Sequence, residues 1–330
     1  MKKIAINGMG RIGRAALKVI LDTPGLELIA VNDIVSIENI AYLLKYDSVY
    51  GIYEKDVTFD ENNIIVDGKK IKYNSVRNPE ELPWKENQIE IVIESTGLFT
   101  TKEDAAKHIT AGAKTVVISA PTKSKDIPTV VHGVNTKDGK TSVFSCASCT
   151  TNNITPVVEI LDRRVGIKKA IMTTVHAYTA TQALVDAPSK KNFRLGRAGA
   201  ANIVPTSTGA AIATTKALPE LTGRFDGVAL RVPIPVGSIS DLTFVTERTV
   251  TVEEINSILK EEAESERYKL VLAVTDDPFV SSDIIKSPYA STVDMGMTRV
   301  VDGDLLKVMT WYDNEWGFTN QMIRQILDEE

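Results

Sequence analysis

Only two cysteines occur in 330 residues, three apart at positions 146 and 149. Two thiols make no disulfide framework, so the expected setting is a reducing, cytoplasmic one. Histidine is nearly as scarce, with three in all, and neither His108 nor His132 stands at zinc-finger spacing from the cysteines. No metal is expected. No apolar run approaches the roughly 20 residues that a membrane helix needs. The lysines at 2 and 3 precede an apolar run that Asn7 and Gly8 cut short, unlike a signal peptide. Positive charge is not in excess: a net charge of −5 gives no reason to expect nucleic acid or an anionic membrane surface as partner. Internal repeats, low-complexity tracts and flexible linkers are missing as well. What remains, 43% hydrophobic and 25% charged, describes an ordinary globular chain long enough for two domains.

The first half alternates strand and helix patterns. Residues 3–6 read as a short buried strand, followed at once by Gly8, Gly10 and Gly13 in a G-x-G-x-x-G spacing and then by a helical apolar stripe (Ile12, Ala15, Ala16, Val19, Ile20). A second strand, 26–31, leads to Asp33, which lies 20 residues beyond Gly13. Glycines between a strand and a helix, with an acid at that distance, form a dinucleotide fingerprint: a tight turn, close approach to pyrophosphate, and a carboxylate for the ribose hydroxyl. Stretch 36–46 reads as helix, and segments near Val57, Ile64 and Ile71 as short strands. Apolar runs at 90–97 and 115–120, separated by a helix at 102–111, suit parallel strands buried on both faces. Ligands in such folds bind beyond the carboxyl ends of strands, which nominates Thr96, Gly97 and Ser119.

The second half has longer strands and less helix: strands at 170–175, 227–232, 238–247 and 305–312, and helices at 252–264 and 317–327. The expected fold is a Rossmann-type dinucleotide-binding domain, 1–148, joined by the C-terminal helix 315–330, plus an α+β catalytic domain, 149–314, with a mixed or antiparallel sheet. A long irregular segment, 180–202, carries Lys190, Lys191, Arg194 and Arg197. Loops of that length in compact domains are usually functional or disordered.

Cys149 lies among small hydroxyl and amide residues just before an apolar-periodic stretch, where a helix start lowers the cost of a thiolate. Taken locally, C-x-x-C leaves three readings open: a nucleophile, a redox pair, or inert core cysteines. The dinucleotide pattern and His176, at the end of a predicted strand, turn the balance toward a nucleophile and its base. Arg231, mid-strand among apolar residues, needs an anionic partner, either a structural carboxylate or a bound phosphate. The 206–211 stretch is a plain helix cap or an anion cradle.

Several segments together resemble the phosphorylating glyceraldehyde-3-phosphate dehydrogenases. Ala147-Ser-Cys-Thr-Thr-Asn152 matches their catalytic signature. The opening Ile6-Asn-Gly-Met-Gly-Arg-Ile-Gly-Arg14, Glu94-Ser-Thr-Gly97, Thr173-Thr-Val-His-Ala-Tyr-Thr179, Pro205-Thr-Ser-Thr-Gly-Ala-Ala211 and Trp311-Tyr-Asp-Asn-Glu-Trp-Gly317 match in order along the chain. The resemblance implies Cys149 as nucleophile and His176 as base. It implies Ser148, Thr150, Thr208 and Gly209 at the attacking phosphate, and Thr179, Thr181 and Arg231 at the substrate's own phosphate, with Arg194 supplying loop charge. Arg11, Ile12, Asp33, Arg77, Thr96, Ser119 and Asn314 would contact NAD, Asn314 through the nicotinamide amide. The 180–202 segment would be the S-loop of a homotetramer. Glyceraldehyde 3-phosphate and inorganic phosphate are the implied substrates.

The chain departs from the family in places. Asn153 replaces a second cysteine seen in many members, Leu195 a basic residue and Phe318 a tyrosine near the nicotinamide. Ala187, smaller than the leucine of many NAD-specific members, opens room that NADP could use; Asp33 opposes a 2′-phosphate by like charge. NAD is expected, with use of NADP left open. An erythrose-4-phosphate dehydrogenase, which releases its thioester to water, and a non-catalytic nucleotide-binding interaction protein are the alternatives.

Overall fold

The structure, a computed structural model, describes every residue except Asp138, Lys140, Lys191 and Glu330; Lys191, one of the loop cations above, therefore lies outside the described residues. The chain divides into two units, the first made of Met1–Val130, Thr136–Ala147 and the residues from Met322 onward, the second of Val131–Asn135 and Ser148–Gln321.

In the first unit, β1 (Lys2–Asn7), α1 (Arg11–Leu21) and β2 (Leu26–Asn32) form the opening βαβ. There follow α2 (Ile37–Lys45), a small ribbon of β3 (Tyr46–Asp47) and β4 (Gly51–Ile52), then β5 (Val57–Phe59), β6 (Asn63–Val66) and β7 (Lys69–Asn74). Next come β8 (Ile91–Glu94), α3 (Lys102–Thr110), β9 (Thr115–Ile118) and β10 (Val143–Ser145). One sheet runs β10-β9-β8-β1-β2-β7-β6-β5, parallel from β10 to β7 and antiparallel at the β7-β6-β5 edge. The inner strands are parallel because helices connect them, and β8 is buried at all four residues, as a strand covered on both faces must be. Ala5, Ala30, Val92 and Trp84 pack into one core of this unit.

The second unit begins with α4 (Cys149–Arg164) and β11 (Ile167–Ala177) and continues through β12 (Val204–Ser207), α5 (Ala210–Ala217), β13 (Phe225–Val232) and β14 (Ser238–Thr246). It ends with α6 (Val252–Glu264), β15 (Leu272–Thr275), β16 (Ser291–Asp294), β17 (Arg299–Val301), β18 (Leu305–Tyr312) and the start of α7 (Trp316–Asp328). Its sheet runs β12-β13-β11-β14-β18-β16-β15, with β17 on β18. It is mixed: β11 pairs parallel with β13 and antiparallel with β14. On β14 burial alternates residue by residue, Leu242 and Phe244 facing a core that includes Ile154, Val157, Leu161 and Ile258.

Three details differ from the expected domain limits, the first being that Val131–Asn135 is counted with the second unit. The division falls between Ala147 and Ser148, and α7 is shared, its residues up to Gln321 counted with the second unit. The Gln321 amide donates to the carbonyls of Leu270 and Pro288 in that unit. Past it, Lys2 Nζ donates to the carbonyls of Ile326 and Leu327, both 2.9 Å away, in the first. Among the described residues no helix is long and apolar enough to cross a membrane.

Candidate active site

The Ser148 hydroxyl accepts the Thr151 N–H at 3.1 Å and so caps α4, making Cys149 the first helical residue. Ala147 before it holds the left-handed backbone at φ 59°, a strained conformation for a residue with a Cβ. Pro156 inside α4 removes one helical N–H. The helix persists because its buried stripe of Ile154, Val157, Val158, Ile160 and Leu161 is locked into the core, while Arg163 and Arg164 at its end both pair with Glu262.

On β11 burial alternates through Met172, Thr174 and His176, which carries the imidazole to the inner side. His176 Nε2 stands 3.3 Å from Cys149 Sγ. The β11–β13 register sets Arg231 directly opposite His176. One Arg231 guanidinium nitrogen lies 2.6 Å from His176 Nδ1 and donates to the Ala177 carbonyl at 3.0 Å; Nδ1 is 2.7 Å from that same carbonyl. For Nε2 to act as a base it must be bare. The ring proton is then on Nδ1, where it and the guanidinium share the Ala177 oxygen.

Burial disfavours charge on each member of the pair taken alone. It pushes the Cys149 thiol up, opposed by Arg231, by the Thr150 hydroxyl and by nearby backbone N–H groups. It pushes His176 down to about 3, with Arg231 adding to the effect. A thiolate and an imidazolium 3.3 Å apart attract each other. Passing the proton within the pair is therefore less costly than charging either partner alone.

Sequence reasoning missed part of this site. The Tyr312 hydroxyl, fully buried at the end of β18, is 2.9 Å from Thr150 Oγ1 and 2.8 Å from Thr174 Oγ1, and its ring meets His176 edge-on. Tyr312 lay within a recognised motif, yet nothing local says which way a strand-end phenol points. The Thr150 side chain, expected to face phosphate, is turned to this phenol and buried. The Ser148 hydroxyl accepts the cap N–H and keeps its own proton to donate. The remaining anion candidates are more open. Thr179 and Thr181 hydroxyls lie 2.9 Å apart. Thr208 Oγ1 accepts the Ala210 N–H, beside Gly209, which caps α5 without a side chain. Arg194 is exposed on a short turn capped by Asn192, and Arg197 is paired with Asp186. Asn314 Oδ1 accepts from Gly237 N and from Ser238 Oγ, which fixes the amide and leaves its nitrogen end for a ligand.

In the first unit the glycine pattern has three different jobs. A Cβ on Gly13 would fall 1.9 Å from the Gly8 carbonyl oxygen, and one on Gly8, at φ +96°, 2.7 Å from Thr96 N. These two pack the turn. A Cβ on Gly10 would meet nothing within 4 Å: this is the open cradle at the start of α1. Asp33 accepts the Met9 N–H at 2.7 Å and the Val35 N–H at 3.0 Å, which holds its carboxylate against the glycine turn with lone pairs to spare. A dinucleotide fits this donor set and this gap. Arg11 pairs with Asp47 and stacks over Tyr50, Ile12 is half-buried and Arg77 exposed. Thr96, Gly97 and Ser119 all follow the ends of β8 and β9.

The family described as glyceraldehyde 3-phosphate dehydrogenase, NAD binding domain, matches residues 2–102, and its C-terminal domain matches residues 148–314. The chain is similar to the glyceraldehyde-3-phosphate dehydrogenase of Zymomonas mobilis, 48% identical over 325 residues covering 97% of this chain and 96% of that protein. It is equally similar to that of Geobacillus stearothermophilus, 48% identical over 324 residues with the same coverage. That of Clostridium pasteurianum is 46% identical over 333 residues, 99% of this chain and 98% of that protein. With both halves matched and the relatives aligned nearly end to end, the chain belongs to the glyceraldehyde-3-phosphate dehydrogenase family.

Proposed function

We propose that the chain oxidises glyceraldehyde 3-phosphate to 1,3-bisphosphoglycerate, reducing NAD and consuming inorganic phosphate, as a step of glycolysis and gluconeogenesis. The observation that carries this is the 3.3 Å approach of Cys149 Sγ to His176 Nε2 at the start of a helix. The sulfur adds to the aldehyde carbon while the thiol proton passes, by way of the imidazole, to the aldehyde oxygen. His176 then takes that hydroxyl proton as the carbon is oxidised, leaving an acyl thioester on Cys149. NAD, when bound, supplies the hydride acceptor. A phosphate oxygen attacks the thioester carbon, and the thiolate leaves and recovers a proton from the imidazolium. Sulfur suits both halves, since it attacks readily and leaves readily. Helix-start N–H groups at Cys149 support the oxyanion.

Gly8, Gly10, Arg11, Ile12, Gly13, Asp33, Arg77, Thr96, Gly97, Ser119 and Asn314 would hold the coenzyme. Thr179, Thr181 and Arg231 would hold the substrate phosphate, with Arg194 supplying loop charge; Ser148, Thr150, Thr208 and Gly209, the first two at the start of α4, would hold the attacking one. Arg231 is the residue whose part is best supported, being a half-exposed guanidinium beside the base. Leu184, Val185, Phe193 and Ile203 expose large apolar side chains in and beside the 180–202 segment. That surface suits a partner copy in a cytoplasmic homotetramer, which sedimentation would test.

One assay tests the reaction: NADH formation with each coenzyme, with and without phosphate, in wild-type protein and Cys149→Ser. Activity should need both phosphate and the thiol. Turnover that persists without phosphate would mark an erythrose-4-phosphate dehydrogenase instead. Full activity after stoichiometric alkylation of Cys149 would end the covalent mechanism.

A further inference from the structure

Beneath the glycine turn lies a buried polar chain that the mechanism above does not use. His108 on α3 is 0% exposed and Glu94, the last residue of β8, is 1% exposed. The Trp84 indole N–H, which can only donate, points to His108 Nδ1 at 3.0 Å. Nδ1 must therefore be bare, so the proton sits on Nε2 and is donated to Glu94 Oε2 at 3.0 Å. The Asn7 amide nitrogen donates to the same oxygen at 2.6 Å, and its 3.4 Å separation from His108 Nε2 is that of two donors converging on one acceptor. Asn7 has no freedom to flip, because its Oδ1 accepts from the Asn32 amide at 2.7 Å, and Asn32 Oδ1 in turn accepts Val76 N–H at 2.9 Å. The other carboxylate oxygen of Glu94 accepts the Thr96 N–H at 2.8 Å and the Thr96 hydroxyl. Both oxygens are thus ringed by donors whose direction is set by the indole at one end and a backbone amide at the other. Only an ionised carboxylate satisfies all of them.

The residues it ties together surround the coenzyme turn. Asn7 precedes Gly8, and Thr96 N is the atom that a Cβ on Gly8 would strike at 2.7 Å. Ser95, between Glu94 and Thr96, donates from its hydroxyl to the Gly8 carbonyl at 2.7 Å. The spacing between the β1–α1 turn and the loop after β8 is set here. We propose that Glu94, held ionised and oriented by the Trp84–His108 pair, is a positioning residue for coenzyme binding. It acts through Asn7 and Thr96 and touches no reacting atom. This rests on the reading of the first unit as the coenzyme site.

Glu94→Gln keeps the shape but places an amide N–H against donors at one end, a mismatch that cannot be relieved by turning His108 or Asn7. NAD titration should show binding weakened about tenfold. Assays should show the coenzyme KM rising in proportion, with kcat and the aldehyde KM within about twofold of wild type. Glu94→Asp should recover part of the loss. Melting and the rate of Cys149 alkylation without coenzyme report whether the variant is folded. Wild-type protein that fails to bind NAD at all would sink the functional reading; wild type and a folded Glu94→Gln that bind alike would overturn the positioning role alone. Should that variant not fold, the wild-type protein still decides. Its three histidines, labelled with 15N, give a small set of ring signals. That of His108 should report a neutral ring protonated at Nε2 and should shift when NAD is added. An Nδ1-protonated ring, or a signal indifferent to NAD, would overturn the proposal.

Discussion

The hydroxyl of Tyr312 lies 2.9 Å from Thr150 Oγ1, one residue beyond Cys149. Because the same phenol also meets Thr174, one oxygen ties α4, β11 and β18 together around the sulfur. Tyr312→Phe leaves two buried threonine hydroxyls short of a partner and should cost about 1–3 kcal/mol in urea unfolding. The Thr150 hydroxyl is among the groups that oppose the upward push of burial on the Cys149 thiol, so loosening Thr150 should slow alkylation of Cys149 by iodoacetamide as well. An unchanged alkylation rate would assign Tyr312 to stability only.

His176→Asn removes the proton acceptor from a thiol that burial already pushes up. A higher thiol pKa means less thiolate at neutral pH, so alkylation at pH 7 should fall at least tenfold in this variant. Its rate should then climb with pH into the alkaline range, beyond the ordinary cysteine value of about 8.5. A pH–rate profile superimposable on that of the wild type would remove His176 from the role of base.

Arg231 is one of the causes that hold His176 below the ordinary histidine value. Replacing the guanidinium by leucine takes a positive charge from beside the ring, so the imidazole should take up its proton at a higher pH than in wild type. Loss of a charge-assisted phosphate contact should also raise the aldehyde KM by about tenfold or more, with the coenzyme KM little changed. NMR titration and steady-state kinetics check the two halves separately.

The fingerprint glycines should separate in a substitution series. Gly13→Ala places a Cβ 1.9 Å from a carbonyl oxygen and should impair folding, whereas the same change at Gly10 meets no protein atom within 4 Å. Gly10→Ala should therefore melt like wild type yet bind NAD more weakly, because its methyl occupies space meant for the pyrophosphate. Unaltered NAD affinity in Gly10→Ala would place the coenzyme elsewhere.

Periodicity alone located α1, α3, α6, β2, β14 and β18 to within a few residues. Their apolar positions recur at helical or strand spacing, and glycine or polar residues close their ends. The short strands β10, β12, β15 and β16 were not legible. β12 contains Pro205, which a strand tolerates at a sheet edge, and it is indeed the edge strand of its sheet. Local pattern carries no information about which neighbour will accept so short a strand.

Sequence by itself determined the chemistry present: a thiol at a helix start, a histidine at a strand end, three glycines before a helix and an acid 20 residues on. These follow from residue type and spacing, which are local. Tertiary structure alone decided their company. It aligned Arg231 with His176 through strand register, turned Thr150 toward Tyr312 instead of outward, and buried Trp84, His108 and Glu94 as one directed chain of hydrogen bonds. Such contacts join residues 14 to 162 positions apart, and their direction is set by which buried donor has no other acceptor, a condition that exists only once the core has closed.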